Sequence, residues 1–159
     1  MAGLEDLYRE IILDHYKNPR NQGRLESPPA IMEQGFNPLC GDEVSVYLEI
    51  NEGVLSDIKI DGHGCSISRS SASLMSSAVK GKTIPEVLDV VETFKTMMSL
   101  HENNLGEHDD KPAPVVDERS LGELIALQGV VKFPVRIKCA TLPWNTLVQG
   151  LGDLASVAN

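Results

Sequence analysis

The chain has 159 residues, 42% of them apolar and 23% charged, which suits one domain with its own core and excludes a disordered chain. Its net charge of -9 argues against nucleic acid and an anionic membrane as primary partners, because both select a basic face. Three cysteines cannot all pair, the amino terminus lacks a basic region followed by an apolar run, and no stretch approaches the ~20 apolar residues that span a bilayer. A cytoplasmic protein with reduced thiols is expected.

Leu4, Leu7, Tyr8, Ile11, Ile12 and His15/Tyr16 follow the i, i+3, i+4 spacing of an amphipathic helix that ends before Asn18-Pro19. Pro19, Gly23, Pro28 and Pro29 then mark an irregular connection, followed by a short strand around Ile31–Gly35. Val44, Val46, Leu48 and Ile50 alternate with Glu43, Ser45, Tyr47 and Glu49, and Ile58 and Ile60 alternate with Asp57, Lys59 and Asp61. With Asn51-Glu52-Gly53 between them, the two runs predict an antiparallel hairpin. Such a hairpin sets Asp42 beside Gly62, and so brings Cys40 and Cys65 together.

The serine-rich stretch after Cys65 has Ile67, Leu74, Ala78 and Val79 on one helical face and a stop at Gly81. Serines are mediocre helix formers, so this helix should depend on packing against the sheet. Thr83 and Glu86 predict a capping box, opening a helix with Val87, Leu88, Val91, Phe94 and Met98 inward. Residues Glu102 to Glu118 carry six acidic side chains and two prolines, a loop composition. Ser120 and Glu123 suggest a second capping box for a short helix limited by Gly129 and Pro134. A last helix runs from about Cys139 to Val157, with Leu147, Val148, Leu151, Leu154 and Ala155 on one face. Strands come early and helices follow, which implies an α+β domain: a small antiparallel sheet of two or three strands packed on one side by several helices.

Cys40, Cys65 and Cys139 each fall at a junction between these elements, and Asp42 lies two residues from Cys40 on the same side of an extended segment. Cys65 and Cys139 fall at predicted helix N-termini, where unpaired amides favour a thiolate. Three thiolates and a carboxylate suit tetrahedral zinc. Three isolated cysteines also serve as core filler, and spacing alone leaves both readings open because no Cys-x-x-Cys pair is present. A zinc deaminase would need Pro-Cys-x-x-Cys, which Pro38-Leu39-Cys40-Gly41-Asp42 does not complete. A His-Glu-x-x-His protease fails at Leu105, and no spacing singles out a Cys–His hydrolase pair. His63, in a Gly-His-Gly turn, is either exposed or a substitute ligand.

The segments Leu7 to Asn21 and Asn37-Pro38-Leu39-Cys40-Gly41-Asp42 resemble the opening of IscU-type iron–sulfur cluster assembly proteins, a family that includes the N-terminal domain of NifU. Gly62-His63-Gly64-Cys65-Ser66-Ile67-Ser68 and Arg136 to Trp144 resemble its SufU branch more narrowly. Lys138 stands where IscU scaffolds carry a histidine before the third cysteine, and His63 stands where IscU places its second. The resemblance implies one IscU/SufU-like domain over residues 1–159, with a SufU-type insertion at about 107–134.

It further implies a zinc-dependent sulfurtransferase that accepts persulfide sulfur from a pyridoxal-phosphate-dependent cysteine desulfurase. Zn(II) would be held by Cys40, Asp42, Cys65 and Cys139, with Cys40 as the sulfur acceptor, freed when a desulfurase histidine replaces it. Downstream cluster assembly proteins would be further partners. The alternatives are a scaffold whose Cys40, Cys65 and Cys139 hold a transient iron–sulfur cluster, and a structural zinc module with no transferred atom. Arg136 and Lys138 would offset the negative charge that three thiolates and a carboxylate leave on a divalent cation, unless they are solvated charges beside the last helix.

Overall fold

In a computed structural model, residues 4–27, 30–38, 41–104 and 121–157 are described. The alternating pattern of the middle segments produces β1 (Ile31–Asn37), β2 (Asp42–Asn51) and β3 (Val54–His63), an antiparallel sheet in the order β1-β2-β3. The β2–β3 turn places Glu52 and Gly53 at φ 52° and 78°. Both central residues are then left-handed, as the tight hairpin turn requires. Register follows from it: Val44 lies opposite Gly62 and Glu43 opposite His63. Val44, Val46 and Leu48 of β2 and Leu55, Ile58 and Ile60 of β3 are buried, forming one wall of the core.

The helices are α1 (Leu4–Lys17), α2 (Ser66–Val79), α3 (Ile84–Asn104), a 3-10 helix (Gly122–Lys132) and α4 (Pro134–Val157). Helix α4 lies across β1 and β2. A Cβ on Gly150 would come within 3.0 Å of Leu48 Cδ1, and Gly35 of β1 faces Leu142 and Thr146. The close approach buries Trp144, Leu147 and Leu151, and Trp144 stacks on Phe94 of α3 with ring centroids 4.2 Å apart. Truncating so buried an aromatic typically costs about 3–5 kcal/mol.

Helix α2 runs through the middle and departs from the expectation that it leans on the sheet. Its main neighbours are α1 and α4, with β3 and the 3-10 helix beside them. Its buried serines are the fastenings. Ser70 donates to the Ile12 carbonyl of α1 at 2.7 Å, and Ser71 donates to the Ala140 carbonyl of α4 at 2.5 Å while accepting from Trp144 Nε1 at 3.0 Å. Ser73 accepts from the Arg20 amide at 2.8 Å and bonds His15 Nδ1 at 2.7 Å. Small side chains let the neighbours come close, and each hydroxyl finds a partner, so burial leaves no unsatisfied group to destabilise the helix.

Several expectations shift. In α1, Leu7 and Tyr16 are exposed and the inward stripe is Ile11, Ile12 and the buried His15. Leu88 of α3 is 40% exposed, and Met97 takes its place in the core. Gly129 does not end the 3-10 helix, which runs to Lys132. Leu121 caps it without a side-chain bond, and Glu123 accepts from His15 Nε2 at 2.8 Å; Ser120, the other half of the expected capping box, lies outside the described residues. Helix α4 starts at Pro134, five residues before the expected start, because a proline fits the first helical turn as readily as it ends a helix. The loop expected from Glu102 to Glu118 opens with three helical residues, and 105–120 lie outside the described residues, as do Pro28, Pro29 and Cys40. Among the described residues no helix is long and apolar enough to cross a membrane.

Candidate metal centre

Three chain segments deliver the site. The hairpin carries Asp42 at the start of β2 to the end of β3, where Gly62-His63-Gly64 leads into α2. Gly64 has no side chain for a reason: a Cβ there would lie 2.5 Å from Asp42 Oδ1 and 2.7 Å from Ser68 Oγ. The Asp42 carboxylate, only 2% exposed, therefore reaches the N-terminus of α2. Cys65 is the N-cap residue of α2 and its own side chain makes no cap bond. Asp42 supplies the cap instead, accepting the Cys65 amide on Oδ1 at 2.8 Å, while Oδ2 lies 3.8 Å from Cys65 Sγ.

The third segment is α4. Cys139 is fully buried, and it lies more than a turn inside the helix rather than at its N-terminus. The amides of a helix start act over the first turn only. A helix start therefore favours the thiolate at Cys65 and does not do so at Cys139, contrary to expectation. Pro143, inside α4, has no N–H to offer the carbonyl four residues back, that of Cys139.

One ligand atom from each of Asp42, Cys65 and Cys139 lies within 4.8 Å of the others. Tetrahedral zinc sets sulfur and oxygen donors about 3.6 Å apart, close to the 3.8 Å between Cys65 Sγ and Asp42 Oδ2. Two soft sulfurs and one buried carboxylate fit Zn(II), with room in a four-coordinate set for one more donor. The candidate for that position, Cys40, lies outside the described residues. On either side of it, the Gly41 amide donates to the Asn37 carbonyl at 2.8 Å.

Arg136, in the first turn of α4, faces the sulfurs. The charge of Cys65, and then a hydrogen bond to it, hold the guanidinium above its ordinary range; burial opposes this and Cys139 adds to it. Lys138 and His63 are exposed. His63 Nε2 pairs with Glu43 Oε2 at 3.7 Å across the hairpin, and it is not among the three grouped donors. The sequence reading missed Asn37. It is 6% exposed, and its Nδ2 donates to Cys139 Sγ at 3.7 Å. Its place beside the Cys40 turn was the available signal, but no periodicity links residue 37 to residue 139.

Residues 7–140 match the model of the NifU-like N terminal domain. The chain is 44% identical over 94% of its length, and 92% of the relative's, to the zinc-dependent sulfurtransferase SufU of Bacillus subtilis (strain 168). It is 38% identical over 95% of its length, and 86% of the relative's, to the iron-sulfur cluster assembly scaffold protein IscU of Streptococcus pyogenes serotype M1. A crystal structure described as a putative iron-sulfur cluster assembly scaffold protein for the SUF system, from Fervidobacterium islandicum AW-1, superposes with a TM-score of 0.76 at 35% identity, covering 94% of this chain and 99% of that one. The chain belongs to the NifU-like N-terminal domain family.

Proposed function

We propose that the protein is a zinc-dependent sulfurtransferase of iron–sulfur cluster assembly, taking persulfide sulfur from a cysteine desulfurase. The observation that carries this reading is the meeting of Asp42, Cys65 and Cys139, from three separate segments, within 4.8 Å. Cys40 completes the donor set and is the nucleophile. Its thiolate attacks the outer sulfur of the desulfurase persulfide; the new S–S bond forms on Cys40, the old one breaks, and the desulfurase cysteine leaves as a thiolate. Zn(II), when bound, supplies a counter-charge that keeps the thiolates deprotonated and quiet. The protein's own part is positional. Asp42 fixes the start of α2 and with it Cys65, and Arg136 balances negative charge on the sulfur side of the site.

The similarity to the Bacillus subtilis sulfurtransferase over nearly the whole chain supports this choice, as does an exposed lysine, Lys138, where a scaffold would place a histidine. The domain spans the full chain, with the 3-10 helix as the described part of the insertion at about 107–134. The test is to mix protein purified without chelator with a cysteine desulfurase and cysteine, and to measure sulfide release together with metal content. Zinc near one per chain and a strong rise in sulfide are expected, with both lost in Cys40→Ser. No rise with the zinc-loaded protein overturns the transferase reading. A stable, transferable cluster formed at one per chain on anaerobic reconstitution would assign the scaffold role instead.

A further inference from the structure

We infer that Asn37 is a positioning residue that keeps Cys139 in place as a thiolate donor, through a hydrogen bond from its side-chain amide to the sulfur. The inference rests on the metal reading above and extends it to a residue outside the donor set. Asn37 ends β1 opposite Asp42 in the register, on the strand that α4 crosses. Its side chain reaches over residues far apart in sequence to Cys139 Sγ at 3.7 Å, within the range of an N–H···S bond, and both residues are buried. A metal-bound thiolate only accepts, so the amide nitrogen is the atom that must face it.

The bond has two physical consequences. A buried donor aimed at a thiolate orients the sulfur and stabilises its charge where no water can. It also withdraws electron density, which makes Cys139 the weaker nucleophile, while the fixed orientation and the resistance to protonation keep the sulfur a ligand. The sulfurs are thus treated differently by their surroundings. Arg136 acts on both sulfurs, and more on Cys65, which also has the start of α2; Cys139, beyond reach of a helix N-terminus, has Asn37 in its place. The same asparagine accepts the Gly41 amide on its backbone carbonyl. One residue therefore bonds both Gly41, next to the proposed nucleophile in sequence, and the cysteine that stays.

The test replaces zinc with Co(II) and reads the thiolate-to-metal charge-transfer band and the rate of metal loss to a chelator in wild type, Asn37→Leu and Asn37→Asp. Leu is close in shape and lacks the donor. It is expected to keep one Co(II) per chain while moving the band to lower energy, since an unbonded thiolate donates more strongly, and to speed metal loss by about 10-fold or more. Asp, which sets a carboxylate against the sulfur, should release metal faster still. If Asn37→Leu does not fold, Asn37→Ser, too short to reach the sulfur, provides the same two readings. A variant with the wild-type band and the wild-type release rate overturns the inference while the metal reading stands. Wild-type protein that takes up Co(II) without a thiolate band overturns the metal reading and this inference with it.

Discussion

Helices α2 and α3 begin in opposite ways, and the contrast separates what serves stability from what serves the site. At α3 the cap is local. Glu86 Oε1 accepts the Thr83 amide at 3.1 Å, and Thr83 Oγ1 accepts the Glu86 amide at 3.3 Å, all within four residues. At α2 the N-cap side chain is the Cys65 thiol, which caps nothing, and the amide there is satisfied by Asp42 from another strand. A helix start with its own box needs nothing from the rest of the chain. One whose cap comes from elsewhere brings the thiol and the carboxylate together as a condition of folding.

Breaking the remote cap should have the largest effect. Asp42→Ala removes both a donor of the proposed site and the partner of a part-buried amide, so metal loss to a chelator should accelerate by at least tenfold. Urea unfolding of the metal-free protein should show a destabilisation of about 1–3 kcal/mol. Asp42→Asn sharpens the result, because it keeps an acceptor for the Cys65 amide. Stability should largely return while metal retention does not, and full retention in Asp42→Asn would remove the carboxylate from the donor set.

Gly64→Ala comes next. The new methyl would press on Asp42 and Ser68, so the Asp42–Cys65 bond must open, at a cost of about 1–3 kcal/mol typical of overpacking. Denaturant midpoints and metal retention should fall together, and a shift in one alone would contradict the shared geometry. At the local cap, Thr83→Ala should cost about 1 kcal/mol in unfolding free energy and leave metal retention unchanged.

The smallest effect is a pH dependence at the same cap. The Thr83 amide, and then its hydroxyl, hold the Glu86 carboxyl below its ordinary value of 4.5. A lowered folded-state value means that its stabilisation is complete above the ordinary value and is lost as pH falls through the lowered one. The Tm gap between wild type and Glu86→Gln should be widest near neutrality and close in acid. A gap that widens in acid would mean that the carboxylate is not the capping group.

The hairpin was legible because its signal is local. Period-two runs and the Asn51-Glu52-Gly53 turn force one register, and that register alone brings Asp42 to the end of β3. The capping box at Thr83 was legible for the same reason. The box expected at Ser120 and Glu123 has its first half outside the described residues; what spacing could not show is that Glu123 accepts from a buried histidine of α1. Pro134 was misread because a proline both ends and begins helices, and this moved Cys139 from a helix start into a helix body. The serines of α2 carry no apolar stripe, so their role as fastenings to α1 and α4 could not be read from periodicity.

By itself, the sequence determined the elements, the hairpin that pairs Asp42 with the Cys65 turn, and the donor types that could meet a metal. Alternation, turn residues and caps act over a few residues and need no knowledge of what lies across the fold. The tertiary structure decided that Cys139 lies among those donors, that Asn37 bonds its sulfur, and that Arg136 rather than Lys138 faces the thiols. Those contacts join β1 and β2 to α2 and α4, and they form only when α4 settles across the sheet where Gly35 and Gly150 let it approach.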